Sequence, residues 1–213
     1  MFYRVSVYLA GMFINFLGVA LVINASLGAG FWTAFFAGLS NNLGGTIGLW
    51  YAIFQFLIIF INARLMKQAP EFRALFTVVL ESIILDFWVE IVFATLDLST
   101  APLFMQLAVL TTGVILVGLG VAVYILPLFP RAPVDQLFLA VSHRFGLSLR
   151  LGQTIVAGIM AILALLIGGP VGIGTLALTL FLGPVTQFFY VRAYPLYYKY
   201  SPEGHPVPAE SFV

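Results

Sequence analysis

Cysteine is absent from the 213 residues, histidine occurs twice, and charged side chains make up only 8% of the chain. Without thiols there is no disulfide framework, zinc knuckle, thiolate nucleophile or iron–sulfur ligation. The two histidines, His143 and His205, stand in no metal-ligand spacing, so neither a metal nor another cofactor is expected. His143 and Ser142 are neighbours in sequence, which makes no catalytic triad. No Gly-x-x-x-x-Gly-Lys-Ser/Thr run occurs, so ATP hydrolysis is not expected either. Net charge is +1 and no basic tract is present, which argues against a nucleic-acid partner. With no nucleophile or acid–base pair in view, the expectation is a protein that is not an enzyme.

An ordinary soluble domain carries about 25% charged residues. Nine Lys+Arg and eight Asp+Glu cannot cover a 23.3 kDa globule in water. What fills the chain instead is apolar: 62% hydrophobic residues, 15% aromatic, and a mean hydropathy of +1.10. Such a composition calls for lipid as solvent and excludes disorder.

A membrane-spanning helix needs about 20 mostly apolar residues. Six stretches qualify, at residues 5–25, 47–63, 74–96, 103–126, 151–167 and 175–194. Pro70, Pro102, Pro127, Pro130 and the run from Gly168 to Gly174 mark their ends. The first stretch is too long for a signal-peptide core and reads as a retained helix. Cations concentrate in cytoplasmic loops. With the N-terminus inside, Arg4, the connection holding Arg64, Lys67 and Arg73, the connection holding Arg131, Arg144 and Arg150, and the Arg192–Lys199 end all fall on one side. The sequence thus predicts a multi-pass protein of the bacterial plasma membrane, both termini cytoplasmic, with 201–213 as a cytoplasmic tail.

Two connections, 26–46 and 127–150, are too long and apolar for ordinary turns. Each opens on helix breakers: Gly28 and Gly30 in one, Pro127, Pro130 and Pro133 in the other. Each continues as about a dozen residues with a helical apolar stripe: Phe31, Ala34, Phe35, Gly38 and Leu39, then Val134, Leu137, Phe138 and Val141. Each closes at a glycine, Gly44 and Gly146. Helices lying on the membrane surface and re-entrant helices both fit such lengths.

An internal repeat favours the re-entrant form. At an offset of 102, Leu17–Ala20 matches Leu119–Ala122. Ile23, Phe36, Ser40, Gly44 and Leu49 match Ile125, Phe138, Ser142, Gly146 and Leu151, giving 9 identities over 33 positions. Near offset 101, Ser82, Asp86 and Phe87 fall opposite Gly183, Gln187 and Phe188. The chain therefore divides into repeats at 1–100 and 101–200, each with three spans and one short helix, within a single membrane domain. Three is odd, so the copies must cross the membrane in opposite senses. The expected fold class is an all-α integral membrane protein of six transmembrane helices in two inverted three-helix repeats. Inverted repeats with broken helices characterise transporters, whose sites lie near the midplane between the halves.

These residues resemble the YczE/YyaS/YitT family of bacterial membrane proteins. Pro130-Arg131 followed by Asp135-Gln136-Leu137-Phe138 is similar to the family's Pro-Arg-Asp-Gly-Leu-Met segment. The run from Gly168 to Thr175 and on through Gly183-Pro184 is similar to its glycine-rich entry to the last span. Leu27-Gly28, Phe31-Trp32, Gly38-Leu39-Ser40 and Thr46-Ile47-Gly48 fit the corresponding element of the first half. The resemblance implies that Asp86 stands where members often carry Asp. Departures are Thr33 at a commonly acidic position, Gln136 for a small residue, residues 132–134 between Arg131 and Asp135, and Gln153 and Ala157 where Arg and Glu are frequent. It implies a permease-like architecture and leaves the substrate open.

Ionisable groups within a membrane are functional candidates by default. The third span holds Glu81, Asp86 and Glu90, with no lysine or arginine in any span core to pair with them. Asp86, about twelve residues in, is expected near the midplane as a proton-coupling or cation-binding carboxylate. Glu90 shares its face at helical spacing, and Glu81 points elsewhere, as a packing or snorkelling residue. Gln187, opposite Asp86 by pseudo-symmetry, and Gln55, polar at depth, are further candidates. Asp135 reads either as a helix cap or as part of a pathway, with Arg131 four residues away to pair with it. Trp32 and Thr33 are candidates to line the outer short helix, Trp32 equally an interfacial anchor. The leading expectation is a small-solute transporter or channel whose cargo is unnamed; the alternative is a scaffold that modulates a partner. A lipid-facing homodimer is compatible with the size.

Overall fold

The computed structural model describes residues 2–130, 132–147 and 149–200. The expectations for Arg131, including its pairing with Asp135, and for the 201–213 tail lie outside the described residues. Among the described residues the chain is all-helical, with eight α-helices: α1 Phe2–Asn24, α2 Phe31–Leu43, α3 Ile47–Met66, α4 Ala74–Asp86, α5 Leu103–Tyr124, α6 Pro133–Phe145, α7 Leu149–Leu166 and α8 Ile173–Tyr200. In lipid every backbone N–H and C=O must find a partner within its own segment, which these apolar runs do by coiling. α1, α3, α5 and α8 are each long and apolar enough to cross a membrane. α7 carries a shorter apolar stretch, Thr154–Leu166.

The third expected span, 74–96, is not one regular helix. α4 stops at Asp86 and runs on as a π-helical turn, Phe87–Val92. Asp86 ends the regular α-helix and is half-buried, while Glu90, inside the π-helical turn, is exposed.

The centre is the crossing of α1 and α5. A Cβ built on Gly11 would fall 2.5 Å from the Tyr124 backbone nitrogen, and one on Gly113 2.8 Å from Val22. One on Gly18 would run into Val117, and one on Gly120 into the backbone of Asn15. Residue numbers in these pairs rise on one helix as they fall on the other, so α1 and α5 are antiparallel. The pairs also exchange under the offset of 102: Gly11 becomes Gly113 as Val22 becomes Tyr124, and Gly18 becomes Gly120 as Asn15 becomes Val117. Backbones this close leave no room for any side chain larger than hydrogen, the packing that small residues provide between membrane helices.

The outer layer repeats the exchange. α2 packs on α7, and its counterpart α6 packs on α3; α2–α3 and α6–α7 form matching hairpins. Gly44 and Gly146 close α2 and α6 with positive φ (79° and 64°), their N–H groups bonded to Ser40 and Ser142 carbonyls. That left-handed turn suits glycine, which has no Cβ to clash. α2 and α6 are buried over their first halves and exposed at their ends. Both insert into one apolar cluster with Met12, Phe16, Ile84, Leu85 and Met160.

Candidate functional site

α6 begins with Pro133 at its first position, where the missing N–H is no loss. The open N–H groups behind it need acceptors, and α3 supplies one. Gln55, fully buried about three turns before the α3 C-terminal end, accepts from the Val134 N–H at 2.9 Å. Its amide nitrogen donates to Glu81 at 3.3 Å, and the Tyr51 hydroxyl donates to the same carboxylate oxygen at 2.8 Å. Glu81 is 2% exposed. One residue past Val134, Asp135 accepts from the Tyr124 hydroxyl at 2.7 Å. Beside it, the Tyr8 and Thr77 hydroxyls are 3.0 Å apart, and Thr77 reaches the Pro130 carbonyl at 3.3 Å. Asn62 donates to the Pro133 carbonyl at 2.8 Å. Two carboxylates, three phenols and two amides thus gather at the start of α6, drawn from α1, α3, α4, α5 and, for Asp135, α6 itself.

The cations gather at this end of the bundle. Arg4 donates to the Pro127 carbonyl at 2.6 Å and sits over the Phe129 ring. Arg64 lies in the last turn of α3, Arg73 just before α4, Arg144 at the end of α6 and Lys199 at the end of α8.

The start of α2, the pseudo-symmetric counterpart of this region, is aromatic. Trp32 stacks on Phe36 (centroids 6.0 Å apart), and Phe36 packs on Tyr51 and Phe54. The Trp32 indole N–H is buried without a partner. Tyr51 joins the two regions: its ring meets Phe16 and Phe36 while its hydroxyl serves Glu81. Backbone pairing closes the structure beyond α2, with Ala29 N–H on Pro170 and Gly174 N–H on Leu27, and the Thr175 hydroxyl bonded to Ala29.

Asp86 lies elsewhere. It caps α3: Oδ1 accepts from the Gly48 N–H at 2.7 Å and Oδ2 from the Thr46 hydroxyl at 2.6 Å, while Thr46 in turn accepts from Leu49. A Cβ on Gly48 would collide with that carboxylate. Since Gly48 opens α3 and Gln55 lies about 10 Å further along it, Asp86 stands toward the opposite end from the Glu81 network and not at its level. The expected central cluster of Asp86, Glu90 and Gln187 does not assemble: Glu90 and Gln187 are exposed. Gln55 and Asp135 do come together, through Val134. Trp32 and Thr33 sit in the first turn of α2, half-buried. Near the same end as Asp86, the exposed Asp97 accepts from the Ser99 N–H at 2.8 Å, which holds its carboxyl below the usual range.

Sequence reasoning missed Tyr8, Tyr51, Tyr124 and Asn62, and assigned Glu81 to packing. The available signal was four polar side chains, Tyr8, Asn62, Glu81 and Tyr124, inside apolar stretches in the half of each span nearest the cations, while Tyr51 lies in the other half of α3.

YyaS of Bacillus subtilis (strain 168), an uncharacterized protein, is 33% identical over 176 residues, 83% of this chain and 86% of YyaS. The uncharacterized membrane protein YczE of the same organism is 28% identical over 186 residues, covering 87% and 84%. An uncharacterized protein of Haemophilus influenzae is 27% identical over 185 residues, covering 87% and 82%. No solved structure matches the chain. Residues 2–191 match a family of unknown function, DUF6198, and with nine-tenths of its length inside that match the chain belongs to this family of membrane proteins.

Proposed function

We propose that the chain is a small-solute transporter or channel of the bacterial plasma membrane, with six spans in two inverted repeats and both termini in the cytoplasm. In this reading α2 and α6 are re-entrant helices entering from opposite faces. The exchange of glycine contacts between antiparallel α1 and α5 under the repeat offset supports the inversion. The clustering of cations at the Arg4 end supports its placement in the cytoplasm.

The observation that carries the reading is Glu81. A carboxylate 2% exposed within a helix bundle, held by Tyr51 and Gln55 with no cation in any span core, is expensive to keep in a membrane. Neutral packing residues would serve architecture at lower cost. Glu81 therefore acts as the coupling carboxylate, taking and releasing a proton or cation as solute passes the start of α6. Gln55 and Asp135 are pathway groups, and Asp86 holds α3 in register.

The test uses the whole chain in proteoliposomes loaded with the pH-sensitive dye pyranine. Amines, amino acids, carboxylates, sugars and alkali cations are added one class at a time. A solute-dependent proton flux that Glu81→Gln abolishes, in protein that still folds, is the expected result. Flux unchanged in Glu81→Gln overturns the coupling role. No flux with any class, together with a co-purifying partner, favours a scaffold.

A further inference from the structure

One face of α8 is left bare by the rest of the chain. Leu176, Leu180, Gly183, Gln187 and Val191 follow one another at helical spacing, and all are exposed. α4, the counterpart of α8, lies along α3, whereas among the described residues α8 barely meets α7. Gln187 is the informative residue. It stands at the middle of the 28-residue α8. Its depth is that of the α1–α5 crossing. On α5, Gly118 lies between Val117 and Gly120, where α1 crosses, and a Cβ there would meet Val185 and the Thr186 nitrogen. So deep in a membrane helix, an outward amide faces hydrocarbon, with no water for its N–H groups and carbonyl.

Other exposed polar groups along the long helices are served by their own backbone. Ser6, Thr111, Thr112 and Thr179 each give their hydroxyl to the carbonyl four residues earlier, and Arg192 gives Nη1 to Phe188. Gln187 has no hydrogen bond among the described residues. The first repeat does serve the matching position. Asp86, opposite Gln187 at an offset of 101, accepts from the Gly48 N–H and the Thr46 hydroxyl of the neighbouring helix.

The amide itself selects what covers the face. It is donor and acceptor at once, so it pairs with a copy of itself, while a lipid chain offers neither group. A twofold axis along the membrane normal brings the same residue of two copies to the same depth, on parallel helices. Gly183, one turn before Gln187, has nothing within 4 Å of where a Cβ would stand. A neighbouring helix can therefore approach closely there.

We propose that this α8 face is a homodimer interface. The Gln187 amides of two copies hydrogen-bond across the twofold axis, and Gly183 lets the two helices close. The interface requires α8 to span the membrane and does not depend on transport.

The chain has no cysteine, so a single introduced thiol reports a single face. Leu180→Cys and Val191→Cys probe α8, and Ile159→Cys on the exposed side of α7 is the control. Oxidation in native membranes should link at least one α8 variant into dimers and leave the control monomeric. Affinity is read by energy transfer between full chains labelled at Thr100→Cys, an exposed turn position, during lipid dilution in liposomes. Gln187→Leu should weaken association about tenfold, as two amide hydrogen bonds within a membrane are lost. Gly183→Leu, which holds the helices apart, should weaken it further. Thermal unfolding checks that each variant folds, and if Gly183→Leu does not, Gln187→Leu decides. Wild type that stays monomeric at every dilution overturns the proposal. So does undiminished association in Gln187→Leu, or linkage through Ile159→Cys as strong as through α8.

Discussion

The starts of α2 and α6 occupy matching places in the two repeats, yet one is packed in aromatic rings and the other in hydrogen bonds. At α6, Val134 N–H meets Gln55, and Asp135 meets Tyr124. At the offset of 102, Gln55 becomes Ala157, Tyr51 becomes Gln153, Asp135 becomes Thr33 and Tyr124 becomes Val22. The frame is kept while the chemistry is lost. The glycine contacts between α1 and α5 exchange under the offset of 102, where no larger side chain fits, while the lining of the two short helices differs. A polar network on one side only gives the molecule a direction, with its ionisable groups facing the cationic end.

The comparison can be broken most severely at what both halves share. Gly120→Val drives a branched side chain into the Asn15 backbone, and Gly18→Val does the same at Val117. Each is expected to destabilise by more than about 4 kcal/mol, in the range where a crowded core no longer folds. Loss of monodisperse protein on size exclusion checks it, and similar losses for the two variants test the equivalence of the positions.

Next is the network that only one half carries. Glu81→Leu strands the Tyr51 hydroxyl and the Gln55 amide in a buried site, at roughly 1–3 kcal/mol for each unsatisfied group. Thermal unfolding in detergent reads it, and Glu81→Gln, which keeps an acceptor, should lose much less.

Asp86→Asn weakens a charge-assisted cap at the positive end of α3 and is expected to lose about 1 kcal/mol. Proton flux lost in this variant while Glu81→Gln keeps it would return the coupling role to Asp86. On the aromatic side the sign reverses. Trp32→Phe removes an N–H that has no acceptor and should be neutral or stabilising by up to about 1 kcal/mol, read by the same melts.

The smallest effect is at Asp97. The Ser99 N–H bond depresses its pKa, so the contribution to the turn is present above the ordinary carboxylate range and fades as pH falls through the lowered value. A carbon NMR titration should place the Asp97 midpoint below the ordinary aspartate value, and Asp97→Asn should leave the melting temperature unchanged.

Much of the frame was legible in the chain. Gly44 and Gly146 end the short helices where glycine is needed for positive φ, and the repeat that pairs them also pairs the crossing glycines. Helix periodicity marked Phe31, Ala34 and Phe35 as an inward face, and all three are buried. The site was less legible. Spacing along α4 separates Glu81 from Asp86 by about 140° around its axis, but it does not say which of the two meets α3 and α6. Nor does spacing foresee that a π turn follows Asp86, or that Gly48 leaves room for its carboxylate.

By itself the sequence determined the apolar composition that calls for lipid, the helices, the spacing of the cations and the residue matches at an offset of 102, because each is a property of composition or of order along the chain. Tertiary structure alone decided which carboxylate is buried and which caps a helix. Burial depends on what the other helices put against a side chain, and that is settled only when α1 and α5 close on their glycines and turn every remaining face to its neighbour.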